Sequence, residues 1–549
     1  MTATAAPARA EDTASAAPDS KRVFLFDTTL RDGAQTQGVD FSVADKRRIS
    51  SALDELGIDY IEGGWPGANP TDTEFFAADP GFKRARFVAF GMTRGAGRSA
   101  ANDPVVAPIL NAPTQGACFV GKSWTYQVDV ALKVSYDENL AMIGDTIEAA
   151  VHAGKEAMYD AEHFFDGYKA DRDYALACVQ TAYDRGARWV VLCDTNGGTL
   201  PDEVETIVDD VLGRIPGNHV GVHFHDDTGH AVANSLLAVR RGVRQVQGTL
   251  NGLGERCGNA NLTSLIPSLK LKTDFEIGVD EAGLQSLTKV SRLIDEILGR
   301  SPNRHAPYVG ANAFAHKGGL HASAVAKDPR TYEHVPPDTV GNERQVLISN
   351  QAGRSNVVSQ LRAMGLDIDA KDPRVGELTA GIKTLEAERG LTFDGADASF
   401  ELYTRQQFGQ STSFFNLDRF RVIDERRHNA KGDEVTESMA MVQLEVADKA
   451  YIEAAPGNGP VDAINAALRK ALLPVYPVLE DMQLTDYRVR ILDGRSGTAA
   501  ITRVMIESAD ANSRTWTTVG VSANIIDASF DALIDAISWK LLKEGVRAR

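Results

Sequence analysis

Eight short apolar segments, regularly spaced between residues 22 and 250, limit the possible folds more than any other feature of this chain. They span residues 23–27, 58–63, 86–91, 117–121, 156–165, 188–194, 219–225 and 244–250. Most are continuously apolar, which is typical of parallel strands buried on both faces. Helix-start signals stand between them, such as the capping-box pattern Ser42-Val-Ala-Asp45 and Pro201 followed by two acidic residues.

Two α/β folds fit this alternation, a closed barrel and an open doubly wound sheet. The open sheet usually has a Gly-rich GxGxxG turn after its first strand, whereas here the first strand runs into Asp27-Thr-Thr-Leu-Arg-Asp-Gly33. Eight β/α units in about 250 residues match the number of units and the typical length of a (β/α)8 barrel. The sequence therefore predicts a TIM barrel over residues 22–290, preceded by a disordered tail over residues 1–21.

The net charge and the spacing of the cysteines indicate which binding partners and which cellular compartment to expect. The net charge of −17 over 549 residues argues against a nucleic-acid partner or an anionic membrane partner. No apolar run approaches the roughly 18 residues of a membrane span. The four cysteines lie far apart, without a CxxC pair, which favours a reduced cytoplasmic protein over a disulfide framework or a thiolate zinc site.

Polar residues follow the predicted strands at the ends where a barrel carries its active site. The candidates are Arg31 and Asp32 after the first strand, Glu62 in the second, Glu162 in the fifth, Thr195 after the sixth, His223 and His225 in the seventh, and Asn259 after the eighth. Asp27 is interpreted as structural, either orienting the loop of Arg31 or capping it. Arg31 could hold an oxyanion or a carboxylate, although an Arg–Asp pair on a loop is more often a solvated surface feature.

A metal site is the strongest chemical signal at this end of the barrel. His223 and His225 are two apart on a strand, so both imidazoles point to the same side. An isolated HxH would more often merely decorate a strand end, but here Asp32 and Asn259 arrive at the same barrel mouth. Two imidazoles, a carboxylate and an amide oxygen suit a divalent ion such as Zn, Mn, Co or Mg.

Three segments resemble the signatures of the 2-isopropylmalate synthase and homocitrate synthase family. They are Leu30-Arg-Asp-Gly-Ala-Gln35 followed by Lys46, Val220-Gly-Val-His-Phe-His-Asp-Asp-Thr-Gly229, and Gly254-Glu-Arg-Cys-Gly-Asn259. The resemblance extends from about residue 22 to the C-terminus. Tyr60-Ile-Glu-Gly-Gly-Trp-Pro-Gly67 and Ala161-Glu-His-Phe-Phe-Asp166 are most similar to the members that form (R)-citramalate.

The resemblance implies a Claisen-type condensation of acetyl-CoA with a 2-oxo acid, here pyruvate, followed by hydrolysis of the thioester and entry of the product into isoleucine biosynthesis. It implies four metal ligands, namely Asp32, His223, His225 and, as a possible fourth, Asn259. It further implies that Arg31 stabilises the oxygen that gains negative charge, that Glu162 positions the reacting groups, and that Thr195 contacts the substrate carboxylate.

Three other functions stay open. A 2-isopropylmalate synthase would accept the bulkier 2-oxoisovalerate, and Gly64 and Trp65 are candidates for shaping that pocket, because a methylene group is worth only about 1–3 kcal/mol of discrimination. A metal-dependent lyase on the same barrel would not require acetyl-CoA. A non-catalytic amino-acid sensor would not need its metal ligands.

Residues 291–415 are interpreted as a mainly helical linker region. Ala315-His-Lys-Gly-Gly-Leu-His-Ala-Ser323 resembles the family segment that carries a catalytic histidine, which corresponds to His321. Tyr332 corresponds to the tyrosine that follows it, and His316 is the alternative base. In the family these residues reach the active site of the partner subunit, which implies a homodimer.

Residues 416–549 contain two similar halves, each with an alternating strand pattern followed by an amphipathic helix. Residues 439–446 and 461–471 form the first half, and residues 501–507, 516–522 and 525–537 form the second. This pattern predicts a pseudo-symmetric α+β domain. Its resemblance to the family's regulatory domain implies a dimeric module that binds a branched-chain amino acid, isoleucine in this case, and the alternative is a dimerisation domain without a ligand.

Overall fold

A closed barrel of eight parallel strands forms the first part of the protein in a computed structural model. The structure describes residues 21–316, 319–325, 327–346, 354–366, 368–369, 371–428, 434–446, 449–492, 500–511 and 514–548, so most of the predicted N-terminal tail lies outside the described residues. The strands are β1 (Phe24–Asp27), β2 (Tyr60–Glu62), β3 (Arg86–Met92), β4 (Gly116–Lys122), β5 (Glu156–Glu162), β6 (Trp189–Asp194), β7 (Val220–Phe224) and β8 (Gln245–Gly248). Each pairs with its neighbour in sequence, and β8 closes the barrel on β1, with Phe26 opposite Gln247.

Helices follow the strands and cover the outside of the barrel. They are α1 (Val43–Leu56), α2 (Pro70–Phe75), α3 (Val106–Asn111), α4 (Thr125–Gln127), α5 (Tyr136–His152), α6 (Phe164–Ala170), α7 (Arg172–Asp184), α8 (Pro201–Leu212), α9 (Ala231–Arg241), α10 (Leu262–Lys272) and α11 (Glu281–Ile297). Both predicted helix starts are confirmed, since Ser42 and Asp45 form a capping box and Pro201 opens α8. No described helix combines the length and apolarity needed to cross a lipid bilayer.

The interior of the barrel changes from aromatic to polar along its axis. Near the amino ends of the strands, the Tyr60 hydroxyl accepts from Trp189 Nε1 at 3.1 Å and donates to Glu156 Oε2 at 3.0 Å. Near the carboxyl ends, the buried residues are Asp32, Glu62, Asp160, His223 and Gln247. A base rich in aromatic residues therefore lies beneath a buried polar layer, on the side where the polar residues were predicted to lie.

The predicted TIM barrel is confirmed, although most of its strands are shorter than the predicted apolar segments, and the fifth segment also changes to a helix. The apolar run over residues 156–165 continues past the end of β5 at Glu162. His163 adopts a left-handed conformation with φ 56°, and α6 begins at the next residue. The apolar residues Phe164 and Phe165 are therefore buried in a helix, because a short apolar run does not by itself distinguish a strand from a buried helix.

Contacts within the chain define two compact units. The first contains the barrel, up to Phe314, together with Val335–Arg344. The second contains Ala315–His334 and everything from Gln345 onward. The second unit begins with the short parallel pair β9 (Ala315–His316) and β10 (Gln345–Val346), and its helices are α12 (Gly319–Val325), α13 (Arg354–Ala363), α14 (Pro373–Arg389) and α15 (Asp397–Gln407).

The C-terminal α+β domain contains two antiparallel sheets, each followed by a helix. The first half contains β11 (Asn416–His428), β12 (Glu434–Val446), β13 (Lys449–Gly457) and α16 (Pro460–Leu472), and the second contains β14 (Gln483–Ile491), β15 (Thr502–Ala509), β16 (Thr515–Ser522) and α17 (Ile525–Lys543). The predicted pseudo-symmetric arrangement is confirmed. The sequence patterns did not identify β11, β13 and β14, which are edge strands with many exposed residues. Helix α15 shares this core through Ala398 and Leu402, although it precedes the boundary predicted at residue 416.

Candidate metal centre and active site

Three buried side chains converge at the mouth of the barrel. Asp32 Oδ2 lies 3.4 Å from His223 Nε2 and 3.8 Å from His225 Nε2. The carboxylate and the two imidazoles can each direct one ligand atom to a common point, since these atoms lie within 4.8 Å of one another. Three residues that the sequence places on two distant segments are thus brought together.

The turn that carries Arg31 and Asp32 is held by Asp27 at the end of β1. Asp27 accepts hydrogen bonds from the Thr29 backbone N–H at 2.9 Å and from the Thr29 hydroxyl at 2.8 Å. The same hydroxyl accepts from the Leu250 N–H at 2.8 Å, which joins the turn to the chain after β8. Complete burial raises the pKa of Asp27 to about 7. This geometry agrees with the structural interpretation of Asp27.

Asn259 lies beside the three-residue group, because an isolated antiparallel bridge pairs it with His225. Its Nδ2 donates to the Leu253 carbonyl at 3.0 Å, which leaves Oδ1 as the atom free to bind another group. Gly254 permits this arrangement. Its φ is 152°, and a Cβ atom there would lie 2.2 Å from Asn259 Nδ2.

Several polar atoms at this point have no protein partner within the described chain. Asp32 Oδ1, His225 Nδ1 and Asn259 Oδ1 are all buried without a hydrogen bond. Burial and the neighbouring His223 lower the pKa of His225 to about 4, so its imidazole is neutral near pH 7. Burial opposes ionisation of Asp32, but the Arg31 guanidinium and the imidazoles hold its pKa well below the usual value. A carboxylate, two imidazoles and an amide oxygen, among them buried atoms with unmet bonding capacity, fit a divalent ion.

Arg31 lies next to this group and is fixed from two sides. Its Nε donates to Glu62 Oε2 at 2.8 Å, and Thr28 Oγ1 donates to the same oxygen at 2.6 Å. The guanidinium stacks on the Phe90 ring, 4.0 Å from the ring centroid. Arg31 is therefore a fixed, partly buried cation rather than a solvated surface residue.

Glu162 and Thr195 lie at the same mouth, on the ends of β5 and β6. Glu162 forms an ion pair with Lys122 of β4 and lines a cavity of about 210 Å³. The Thr195 hydroxyl accepts from the His163 backbone N–H at 2.9 Å. Their described contacts are thus with Lys122 of β4, with His163 after β5 and with Arg256 beyond β8, rather than with the imidazoles. Their assigned roles stay predictions.

The histidines predicted beyond the barrel lie in the second unit. The exposed ring of His321 stacks on Tyr332, with a centroid distance of 4.2 Å and an interplanar angle of 29°. His316 is buried, and its Nε2 lies 3.2 Å from Glu333 Oε1. Of the two candidate bases, only His321 has an exposed ring.

Three further residues lie at the site although the sequence patterns did not single them out, namely Lys122, Asp160 and Gln247. Glu62 was a candidate without an assigned role, and the structure pairs it with Arg31. A signal for Gln247 is present in the eighth segment, where Gln245, Gln247 and Thr249 alternate with apolar or small residues. That alternation places three polar side chains on one face of a strand.

Family models cover the chain in three consecutive parts. Residues 22–294 match an HMGL-like model, residues 308–390 a homocitrate synthase post-HMGL domain-like model, and residues 394–541 a LeuA allosteric (dimerisation) domain model. The matched boundaries place α15 with the C-terminal domain, in agreement with its packing.

Individual relatives match over almost the whole chain. The chain is 48% identical to an (R)-citramalate synthase of Aquifex aeolicus (strain VF5), a match that covers 96% of this chain and 99% of the relative. It is also 48% identical to an (R)-citramalate synthase of Synechocystis sp., covering 94% of this chain and 96% of the relative. Identity to a 2-isopropylmalate synthase of Serratia proteamaculans is 30%, covering 95% of each chain.

Proposed function

Since the chain belongs to the (R)-citramalate synthase family, we propose that it condenses acetyl-CoA with pyruvate and hydrolyses the resulting thioester to (R)-citramalate and CoA. The observation that carries this function is the identity of 48% over nearly the full length of two such enzymes. The 30% identity to a 2-isopropylmalate synthase makes 2-oxoisovalerate the weaker candidate for the acceptor.

In this proposal Asp32, His223 and His225 hold a divalent metal ion, with Asn259 as a fourth ligand. A bound divalent ion would polarise the keto group of a 2-oxo acid towards attack by a carbon nucleophile. The uncompensated Asp32 Oδ1 and Asn259 Oδ1 support this assignment, because buried polar atoms are rarely left without a partner.

Arg31 is assigned to the oxygen that gains negative charge during carbon–carbon bond formation. Its Nε is engaged by Glu62 and its Nη1 lies 3.4 Å from Asp32 Oδ2, so Nη2 is assigned as the donor for substrate. Several carboxylates surround Arg31 and raise its pKa against the effect of burial, which keeps it cationic throughout the reaction. A fixed cation stabilises developing charge without reorganising in the transition state.

The acetyl methyl group is a weak carbon acid and requires a base. We assign that role to His321, with Tyr332 as its neighbour, and retain His316 as the alternative. The exposed ring of His321 favours it, whereas His316 is buried against Glu333. Glu162 is assigned to positioning the reacting groups and Thr195 to the substrate carboxylate. Positioned general-base catalysis contributes about 10²–10⁴-fold, so orientation and charge stabilisation must supply the rest.

We infer a homodimer, which the match of residues 394–541 to an allosteric (dimerisation) domain supports. One face of the first C-terminal sheet presents exposed apolar side chains among charged ones, and no other described element covers these apolar side chains. Ile423, Met439 and Ile452 on that face have exposed fractions of 54%, 46% and 61%. A second copy would cover such a face. We further propose that this domain binds a branched-chain amino acid, isoleucine, as the end product of the pathway that uses citramalate.

The test is release of free CoA thiol by the purified full-length enzyme with acetyl-CoA and each of pyruvate, 2-oxoisovalerate and 2-oxoglutarate. We expect thiol release to require both substrates and to be fastest with pyruvate, with (R)-citramalate identified by chiral chromatography. Preference for 2-oxoisovalerate would identify a 2-isopropylmalate synthase instead. Substrate cleavage without acetyl-CoA would indicate a lyase. His223→Ala serves as the inactive control.

A further inference from the structure

Gln247 of β8 connects the proposed metal centre to a carboxylate inside the barrel. Its Oε1 lies 2.9 Å from His223 Nδ1, and its Nε2 lies 3.1 Å from Asp160 Oδ1. All three side chains are buried. The contact therefore joins β5, β7 and β8 at a level below the mouth of the barrel.

The chemistry of these groups gives the chain of hydrogen bonds a direction. A carboxylate can only accept, so Asp160 takes an N–H of the Gln247 amide. The amide oxygen is then left for His223, and since a carbonyl only accepts, His223 must carry its hydrogen on Nδ1. In the neutral form that a metal ligand must have, the ring then presents the lone pair of Nε2, the atom that faces Asp32.

We propose that Gln247 is a positioning residue for the metal centre, and that Asp160 fixes the orientation of its amide. The proposal rests on the metal centre of the proposed function. Gln247 selects the Nε2-ligating tautomer of His223 and fixes the plane of its ring. Groups that orient a metal-bound histidine in this way typically change metal affinity by about 10–100-fold.

The local charges explain why an amide rather than a carboxylate stands at this position. Glu62 and Asp160 already place two buried carboxylates next to each other, with ligand atoms within 4.8 Å. A third carboxylate at position 247 would face Asp160 without the N–H that now separates the two residues. A neutral residue that both donates and accepts satisfies His223 and Asp160 together.

Gln245 provides a matched control on the same strand. It is also fully buried, but neither Nε2 nor Oε1 of its side chain has a hydrogen-bond partner in the described chain. Replacement of Gln245 thus removes the same side chain from the same strand without touching His223.

The experiment measures Mn²⁺ affinity by isothermal titration calorimetry on chelator-treated full-length enzyme, with folding checked by circular dichroism. Gln247→Met removes both hydrogen bonds at similar volume, and we expect its Kd to rise about 10–100-fold. Gln245→Met should leave the Kd within about 3-fold of the wild type, because it belongs to no chain of bonds to a ligand. Wild-type affinity in Gln247→Met would overturn the proposal.

A second pair of variants exchanges the amide at position 247 with the carboxylate at position 160 and so tests the direction of the hydrogen bonds. This test also applies if Gln247→Met fails to fold. Gln247→Glu places two carboxylates together and should weaken Mn²⁺ binding. Adding Asp160→Asn supplies a new N–H between them and should restore the Kd to within about 5-fold. A double variant that binds Mn²⁺ as weakly as Gln247→Glu alone would overturn the proposal.

The wild type separates this proposal from the proposed function. If the wild type binds no Mn²⁺, the proposed metal centre itself is wrong. Normal Mn²⁺ binding without condensation of pyruvate contradicts the proposed reaction alone.

Discussion

Arg31 donates from its Nε to Oε2 of Glu62 at 2.8 Å, and the carboxylate of Glu62 is completely buried. The same oxygen also accepts from the Thr28 hydroxyl. Because the turn after β1 supplies the arginine and β2 supplies its carboxylate, pairing of β1 with β2 brings the two residues together. The position of the proposed oxyanion donor is thus a consequence of barrel geometry.

Glu62→Gln should lower kcat for citramalate formation by up to about 10²–10³-fold, the range observed when an oxyanion donor is lost. The amide keeps the shape of the side chain but no longer attracts the guanidinium, so Arg31 shifts from its position over Phe90. Steady-state kinetics with pyruvate measures the effect. Glu55→Gln, on the exposed side of α1, should retain wild-type rates. Equal kcat in Glu62→Gln and the wild type would contradict this role.

Metal binding should raise the thermal stability of the enzyme through His225. A ligand at about 100 times its Kd stabilises the native state by about 2.7 kcal/mol, and removal with a chelator should reverse the rise in Tm and abolish activity. His225→Ala should lose most of the Mn²⁺-dependent rise. His305→Ala, an exposed histidine of the same unit, should retain it. Differential scanning calorimetry with and without Mn²⁺ checks both, and an undiminished rise in His225→Ala would remove it from the ligand set.

Stability of the barrel should fall between about pH 4 and about pH 7 because of Asp27. Burial raises the pKa of Asp27 from 3.8 to about 7, so the unfolded chain releases this proton before the native state does. The native state then binds more protons, and the free energy of unfolding decreases as pH rises. Asp27→Asn cannot ionise, so its stability relative to the wild type should improve by about 1–3 kcal/mol between about pH 5 and about pH 8. Urea unfolding at both pH values measures the difference, which would be absent if Asp27 ionised normally.

Trp65→Ala should shift acceptor preference towards 2-oxoisovalerate. Trp65 meets Phe90 edge-on with ring centroids 5.9 Å apart, and Phe90 lies beneath Arg31. We expect the ratio of kcat/KM for 2-oxoisovalerate to that for pyruvate to rise about 10–200-fold, corresponding to about 1–3 kcal/mol. Tyr126→Ala, an exposed aromatic residue, is the control. Gly64 is left unchanged in this test, because a Cβ atom there would lie 2.6 Å from the Asp72 carboxylate.

Ile452→Lys should shift the protein from dimer to monomer. The charge would stand on the uncovered face of the first C-terminal sheet, where Ile423 and Met439 are direct cross-strand partners. Desolvating a lysine against a second copy is unfavourable. Light scattering after size-exclusion chromatography gives the mass of each species. Val478→Lys makes the same change at another exposed apolar position of the domain and should remain dimeric. A fully dimeric Ile452→Lys would place the interface elsewhere.

The barrel and the cluster of Asp32, His223 and His225 were accessible from the sequence because each depends on local patterns. Continuous apolar runs indicate strands buried on both faces, and parallel strands bring their carboxyl ends to one side. Spacing of two along a strand then places His223 and His225 together. These inferences require no knowledge of how the side chains meet.

Contacts between residues far apart in the chain could not be predicted in the same way. The partners Arg31 and Glu62 are 31 positions apart, and His223 and Gln247 are 24 apart. Only the registers of β1 with β2 and of β7 with β8 bring them together. Strand β11 was missed for a different reason, since an edge strand with one exposed face is rich in charged residues and lacks the apolar signature.

The pairing of β8 with β1 also has a consequence for biosynthesis. Of the proposed ligands, Asp32 follows the first strand of the barrel, His223 and His225 lie at the end of the seventh, and Asn259 follows the eighth. A nascent chain therefore has no complete ligand set until Asn259 has been translated and β8 has paired with β1. The proposed four-residue site would accordingly be completed only when the barrel closes.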